Sequence, residues 1–159
     1  MTDDQQITQR IAAKALIVND KGQILVLREA ETYEEGTNIG RYELPGGRIN
    51  RGEPLLEGLV REVKEESGLE VEIGHVIYAD EWWPVIKDDK NQIVGIFFLC
   101  KPLHQNIRLS NEHDDFQWIN VNEAEKYDVT KAEARAIEAY SELVQASDKQ
   151  RRRKLLLSS

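Results

Sequence analysis

The stretch that most limits how this chain can fold is Gly47 to Leu69, GRINRGEPLLEGLVREVKEESGL, where a glycine turn runs into an acidic helix. Pro54 suits a first helical position, and Gly68 suits the left-handed residue after a last turn. At roughly 100° per residue, Glu62, Glu65 and Glu66 share an arc about 100° wide. Leu56, Leu59, Val60 and Val63 occupy a neighbouring arc and are expected to face the core. Gly58 falls inside the acidic arc. A mid-helix glycine costs about 1 kcal/mol against alanine, so its missing side chain is expected to leave room for a ligand. Three carboxylates on one face repel each other. A hard divalent cation relieves that repulsion, because Mg²⁺ and Mn²⁺ prefer oxygen ligands. Taken alone, the cluster also reads as a solvated, glutamate-rich surface helix.

The wider pattern separates these readings. The stretch runs G-x5-E-x7-R-E-U-x-E-E-x-G-U, with U apolar, through Gly47, Glu53, Arg61, Glu62, Val63, Glu65, Glu66, Gly68 and Leu69. At average residue usage, a chance match at a given start is on the order of one in a billion. The stretch resembles the Nudix box of the Nudix hydrolase family, with every defined position filled. A looser likeness in the order of strands and helices extends over most of the chain. The resemblance implies an α/β/α sandwich with a mixed β-sheet.

At 159 residues the chain suits one domain with a full core. The expected layout is a polar lead-in over 1–10, a single domain over 11–147 and a basic tail over 148–159. No apolar run approaches the roughly 18 residues of a membrane span. The opening MTDDQQITQR is polar and acidic and does not read as a secretory signal. Cys100 is alone, which fits a reducing cytoplasm. A net charge of −8 argues against general nucleic-acid binding. It also means that an anionic phosphate substrate needs metal ions and local Arg or Lys at the site. A homodimer is left open.

In chain order, Ile11–Val18 and Gln23–Arg28 read as strands joined by the turn Asn19-Asp20-Lys21-Gly22, a hairpin signal. Residues 30–38 read as a polar loop over the site or at its rim. After the helix, Glu70–Ala79 reads as a strand, followed by Trp82, Trp83 and Pro84 between strand and turn. The apolar run Ile93–Cys100 reads as a central strand covered on both faces. Phe116–Val121 is expected to be a short strand and Asn122–Lys126 one helical turn. Thr130 caps a last amphipathic helix carrying Ala132, Ala136, Ile137, Tyr140 and Val144. QRRRKLLLSS at the end reads as a helix extension, a frayed tail or a basic interaction tail.

What the resemblance implies for chemistry is cleavage of a diphosphate linkage in a nucleoside diphosphate derivative, with Mg²⁺ or Mn²⁺. The substrate classes left open are nucleoside triphosphates, oxidised ones included, and ADP-ribose or nucleotide-sugar types. Pro84, 15 residues after Leu69, resembles a marker of the ADP-ribose type. A catalytically silent, nucleotide-sensing Nudix domain is the alternative. The carry-over puts metal on Glu62, Glu65 and Glu66, and on Gly46 through its carbonyl. Glu65, Arg61, Glu53 and Glu112 are the expected catalytic residues. Arg61 would orient the carboxylates, with an i,i+4 pair to Glu57 as the competing role. Glu53 would cap the helix or support the metal shell. Glu112 is the candidate general base or extra ligand, with His113 second; a solvated acidic turn is the other reading there. Arg48 is expected at phosphate, and Trp82 and Trp83 at the base.

Overall fold

The structure is a computed structural model that describes residues 6–158. The first five residues of the expected lead-in, and Ser159, lie outside them. Strand β1 (Thr8–Ile17) already begins inside the lead-in. Its partner β7 (Asp89–Pro102) runs parallel to it, from Thr8 opposite Asn91 to Ile17 opposite Cys100. Antiparallel β4 (Gly46–Arg48) flanks β1 on the other edge, and antiparallel β5 (Val71–Trp82) flanks β7. The sheet is therefore mixed, in the order β4-β1-β7-β5, with β6 (Val85–Ile86) pairing with β7. The expected central strand over Ile93–Cys100 lies in β7, between β1 and β5.

A second, antiparallel sheet holds β2 (Ile24–Glu29), β3 (Tyr42–Glu43) and β8 (His113–Ile119), in the order β3-β2-β8. The expected β1–β2 hairpin therefore does not form. The turn is present, and one antiparallel bridge joins Val18 and Ile24. Both edges of β1 are taken by β4 and β7, so β2 diverges into the other sheet.

Alternate residues of a strand point to opposite faces, and β1 shows how the layers are built. Ala13, Ala15 and Ile17 pack with Leu59 and Val63 of helix α1 (Leu55–Ser67). Leu16 packs with Ala132, Ala136 and Ile137 of helix α2 (Lys131–Leu157). Helices thus cover both sides, giving an α/β/α sandwich.

Two helix expectations change. Leu59 and Val63 are buried, but Leu56 and Val60 are exposed. The buried arc of α1 is turned toward Glu66, which sits between Leu59 and Glu62 on the wheel and is itself buried. Turning Glu66 inward swings Leu56 and Val60 out. The space beside Gly58 is also not open: a Cβ there would meet Ile49 Cδ1 at 2.6 Å and Glu53 Oε1 at 2.7 Å.

Pro54 is the extended residue before α1, and Gly68 ends the helix in the left-handed conformation (φ 73°). A 3-10 helix spans Val121–Lys126, near the expected turn. Helix α2 runs unbroken to Leu157, well into the region expected as a tail. From Leu143 onward its residues are exposed, Val144 included, because the helix has passed the edge of the body.

Candidate metal and nucleotide site

The buried face of α1 places Glu66 against the glycine turn. Its Oε2 accepts the backbone N–H of Gly46 at 3.0 Å. Burial pushes the Glu66 carboxyl well above its ordinary value of 4.5. Gly46 has φ 127°, and a Cβ there would lie 2.2 Å from the Ala13 carbonyl oxygen. Beside it, a Cβ on Gly47 would lie 2.7 Å from Glu62 Oε2. Gly46 therefore lets the turn close onto β1, and Gly47 lets it close onto the Glu62 carboxylate.

Arg61 gathers the other acids. It forms a bidentate pair with Glu53, at 2.7 and 2.9 Å, and reaches Glu62 at 3.0 Å and Glu65 at 3.1 Å. These side-chain bonds of Arg61 go to Glu53, Glu62 and Glu65 and not to Glu57, the expected competing partner. Hydrogen bonds from Arg61 hold the Glu53 carboxyl down at about 2. Glu53 also accepts the Asn50 N–H, so it ties the loop before the helix to Arg61. Burial raises Glu62, with Arg61 opposing the shift and Glu65 and Glu112 adding to it. Glu65 is the outermost of the three, its side chain 58% exposed.

Glu62, Glu66 and Glu112 line one cleft of about 400 Å³, together with Arg10, Tyr33, Gly47 and Arg48. A larger groove of about 860 Å³ adjoins it, lined among others by Lys14, Gly46, Trp82 and Glu133. Arg10, Tyr33, Gly47 and Arg48 border both. The structure thus brings Arg48, Glu62, Glu66 and Glu112 together, and Trp82 with Gly46 in the adjoining space. Trp82 belongs to β5 rather than to a turn, and packs 6.4 Å from the Phe97 ring and over Gly95.

Other expected residues lie elsewhere. Trp83 is exposed, with Lys90 5.3 Å from its ring, and is absent from the lining of the groove. His113 begins β8 and is buried, its Nε2 bonded to Glu43 Oε1 at 2.8 Å, so it faces the interior.

Arg10, Tyr33, Lys14, Glu43 and Glu133 form part of the site and were not read from the sequence. Lys14 had a signal: it is the one charged residue within the apolar run IAAKALIV. It is buried, with Nζ 3.0 Å from Glu133 Oε1 and 3.4 Å from the Gly46 carbonyl oxygen. Burial disfavours its charged form, but Glu133, Glu43 and Glu66 outweigh this and shift its pKa upward. Burial pushes the Glu133 carboxyl upward, with the Lys14 ammonium opposing the shift.

The donor set suits a hard cation: carboxylates at Glu62, Glu65 and Glu66 and a main-chain carbonyl at Gly46, around a turn without side chains. Among the described residues, no three acidic, His or Cys side chains converge tightly enough to hold an ion as they stand. Arg61 engages Glu62 and Glu65, so an ion would have to draw these carboxylates from it.

The profile of the NUDIX domain matches residues 8–140. The chain belongs to the Nudix family. It is 32% identical over 113 residues to a MutT-like protein of Streptomyces ambofaciens, covering 71% of this chain and 65% of that one. It is 25% identical over 133 residues to the CTP pyrophosphohydrolase of Escherichia coli, covering 84% and 93%. The crystal structure of a MutT protein from Methanosarcina mazei superposes with a TM-score of 0.75 at 28% identity, over 86% of this chain and 96% of that one. The chain spans only 38% of Nudix hydrolase 5 of Arabidopsis thaliana. The Nudix box thus lies at the cleft: its glycine turn and its helix supply the Gly47, Glu62 and Glu66 walls.

Proposed function

We propose that this Nudix chain is a metal-dependent diphosphatase acting on a nucleoside diphosphate derivative. The observation that carries the reading is the convergence of Glu62, Glu66 and Glu112 on one cleft that continues past Arg48 into the groove with Trp82. Glu62, Glu65, Glu66 and the Gly46 carbonyl would hold Mg²⁺ or Mn²⁺. When bound, the ion neutralises phosphate charge and acidifies water.

The chain's own residues supply the rest. Glu112, across the cleft from α1, receives the proton of the attacking water. Arg61 and Glu53 fix the direction of the helix carboxylates through charge-assisted bonds. Arg48 and Arg10 sit at the junction of cleft and groove, where they pair with phosphate oxygens. Trp82 offers a face for a base. The match to a CTP pyrophosphohydrolase, and to the nucleoside triphosphatase NudI of Klebsiella pneumoniae, favours nucleoside triphosphates as substrates. The free, buried Cys100 supports a reducing cytoplasm as the setting.

The test is a Mg²⁺-supported hydrolysis screen over nucleoside triphosphates, nucleotide sugars and dinucleoside polyphosphates, with products identified. Turnover of a triphosphate to monophosphate and diphosphate is expected. Tight nucleotide binding without turnover of any class would replace the enzyme reading with the nucleotide-sensing one.

A further inference from the structure

Among the described residues, Lys14 is the one Lys or Arg that is buried. It stands in the middle of β1, opposite Gly46 in the β1–β4 register. Its ammonium is shared between a carboxylate from the opposite layer, Glu133 of α2, and the main-chain oxygen of Gly46. Glu43 and Glu66 act on the same ammonium electrostatically. A structural cation thus rests on the oxygen proposed above as a metal ligand, beside a second proposed ligand.

We propose that Lys14 is a built-in competitor of the divalent cation, a positioning residue that keeps the Gly46–Glu66 corner in place without metal and lowers its metal affinity. The inference rests on the metal reading of Gly46 and Glu66. Without an ion, Lys14 offsets the negative charge that Glu43, Glu66 and Glu133 bring to this buried corner. With an ion at Gly46, a unit positive charge 3.4 Å from the ligand oxygen repels it across a poorly screened interior. Glu133 sets the balance by drawing the ammonium toward α2. The arrangement gives variants at the two ends of one ion pair opposite effects on metal. If the pair served packing alone, both variants would weaken the site.

The experiment measures Mn²⁺ binding to the metal-free protein by the electron paramagnetic resonance of free Mn²⁺, alongside the metal-induced shift in melting temperature. Lys14→Gln keeps a donor for the Gly46 carbonyl and removes the charge. It should bind Mn²⁺ about tenfold more tightly than wild type. Glu133→Gln should bind it about threefold more weakly, and Lys14→Arg should stay near wild type. Unchanged or weaker binding by Lys14→Gln overturns the proposal. If Lys14→Gln does not fold, the double variant Lys14→Met/Glu133→Leu replaces the pair with apolar side chains, an exchange that buried ion pairs tolerate. It too should bind more tightly than wild type, because the removed cation was the charge touching the ligand oxygen. Equal or weaker binding overturns the proposal. Absence of Mn²⁺ binding by wild type removes the metal reading itself, an outcome distinct from both.

Discussion

Glu66 Oε2 accepts the main-chain N–H of Gly46 at 3.0 Å, a bond that fastens the last turn of helix α1 to the first residue of β4. The bond explains why the buried arc of the helix is centred on a carboxylate instead of on its leucines and valines. An acid in that place is held by one amide donor while burial raises its pKa. Such a group gains from any cation that arrives.

Glu66→Gln tests that view. An amide oxygen can still accept the Gly46 N–H, so the fold should persist. Without metal the variant should be as stable as wild type or slightly more so, because a buried charge has gone. Wild type should gain melting temperature on adding Mg²⁺ or Mn²⁺ through linkage, and the variant should gain less. Turnover should fall by about a thousandfold or more. Paired thermal melts and one hydrolysis assay measure all of it. Wild-type turnover and an undiminished melting shift would take Glu66 out of the site.

Glu53 and Arg61 give a pH signature. The Glu53 carboxyl sits at about 2 when folded, against an ordinary 4.5. A depressed acid contributes stability that is fully present above about pH 4.5 and is lost as pH falls toward about 2. Glu53→Gln lacks this titration. Wild type should therefore melt higher than the variant near neutral pH, and the gap should close between about pH 4.5 and 2. A gap that stays constant across that range would show that Glu53 contributes through something other than its charge.

The two tryptophans should behave differently. Trp82 lines the groove and packs on Phe97, whereas Trp83 is exposed beside Lys90. Trp82→Ala should raise KM more than it lowers kcat, and should cost about 2 kcal/mol of stability from lost packing. Trp83→Ala should leave both nearly unchanged, within about 0.5 kcal/mol. Steady-state kinetics with denaturant melts decide this, and a KM effect at Trp83 alone would move the base-binding surface to the outer face.

These contrasts show what the sequence carried and what it did not. The spacing of Glu53, Arg61, Glu62 and Glu66 is local to one helix and its lead, so it was legible. The strand of Ile93–Cys100 was legible because an unbroken apolar run requires cover on both faces. The partition of β1 and β2 into two sheets was not, since a turn signal records that the chain reverses and not which neighbours its strands take. The rotation of α1 was not legible, because the apolar pattern points Leu56 and Val60 inward and carries no sign that Glu66 takes the buried arc. Arg10, Tyr33 and Glu133 meet the site from three separate segments, and no local pattern joins them.

Gly46 and Gly47 separate fold from site within two adjacent residues. Gly46 has φ 127°, and an added Cβ would lie 2.2 Å from the Ala13 carbonyl oxygen and 2.8 Å from Lys14 Cα. Both obstacles are backbone of β1 and cannot swing aside. Gly46→Ala should therefore cost more than about 3 kcal/mol, through strain and through loss of the β1–β4 pairing. At Gly47 the obstacle is Glu62 Oε2 at 2.7 Å, the end of a flexible side chain. Gly47→Ala should fold with a loss of about 1 kcal/mol or less, because Glu62 can turn away. The cost should appear in metal binding instead: the displaced carboxylate no longer reaches the ion, so the melting shift on adding Mn²⁺ should shrink. Circular dichroism melts of both variants, with and without Mn²⁺, read the two effects apart. If Gly47→Ala keeps the full metal-induced shift, Glu62 is not a ligand, and the proposed ion is left to Glu65, Glu66 and the carbonyl of Gly46.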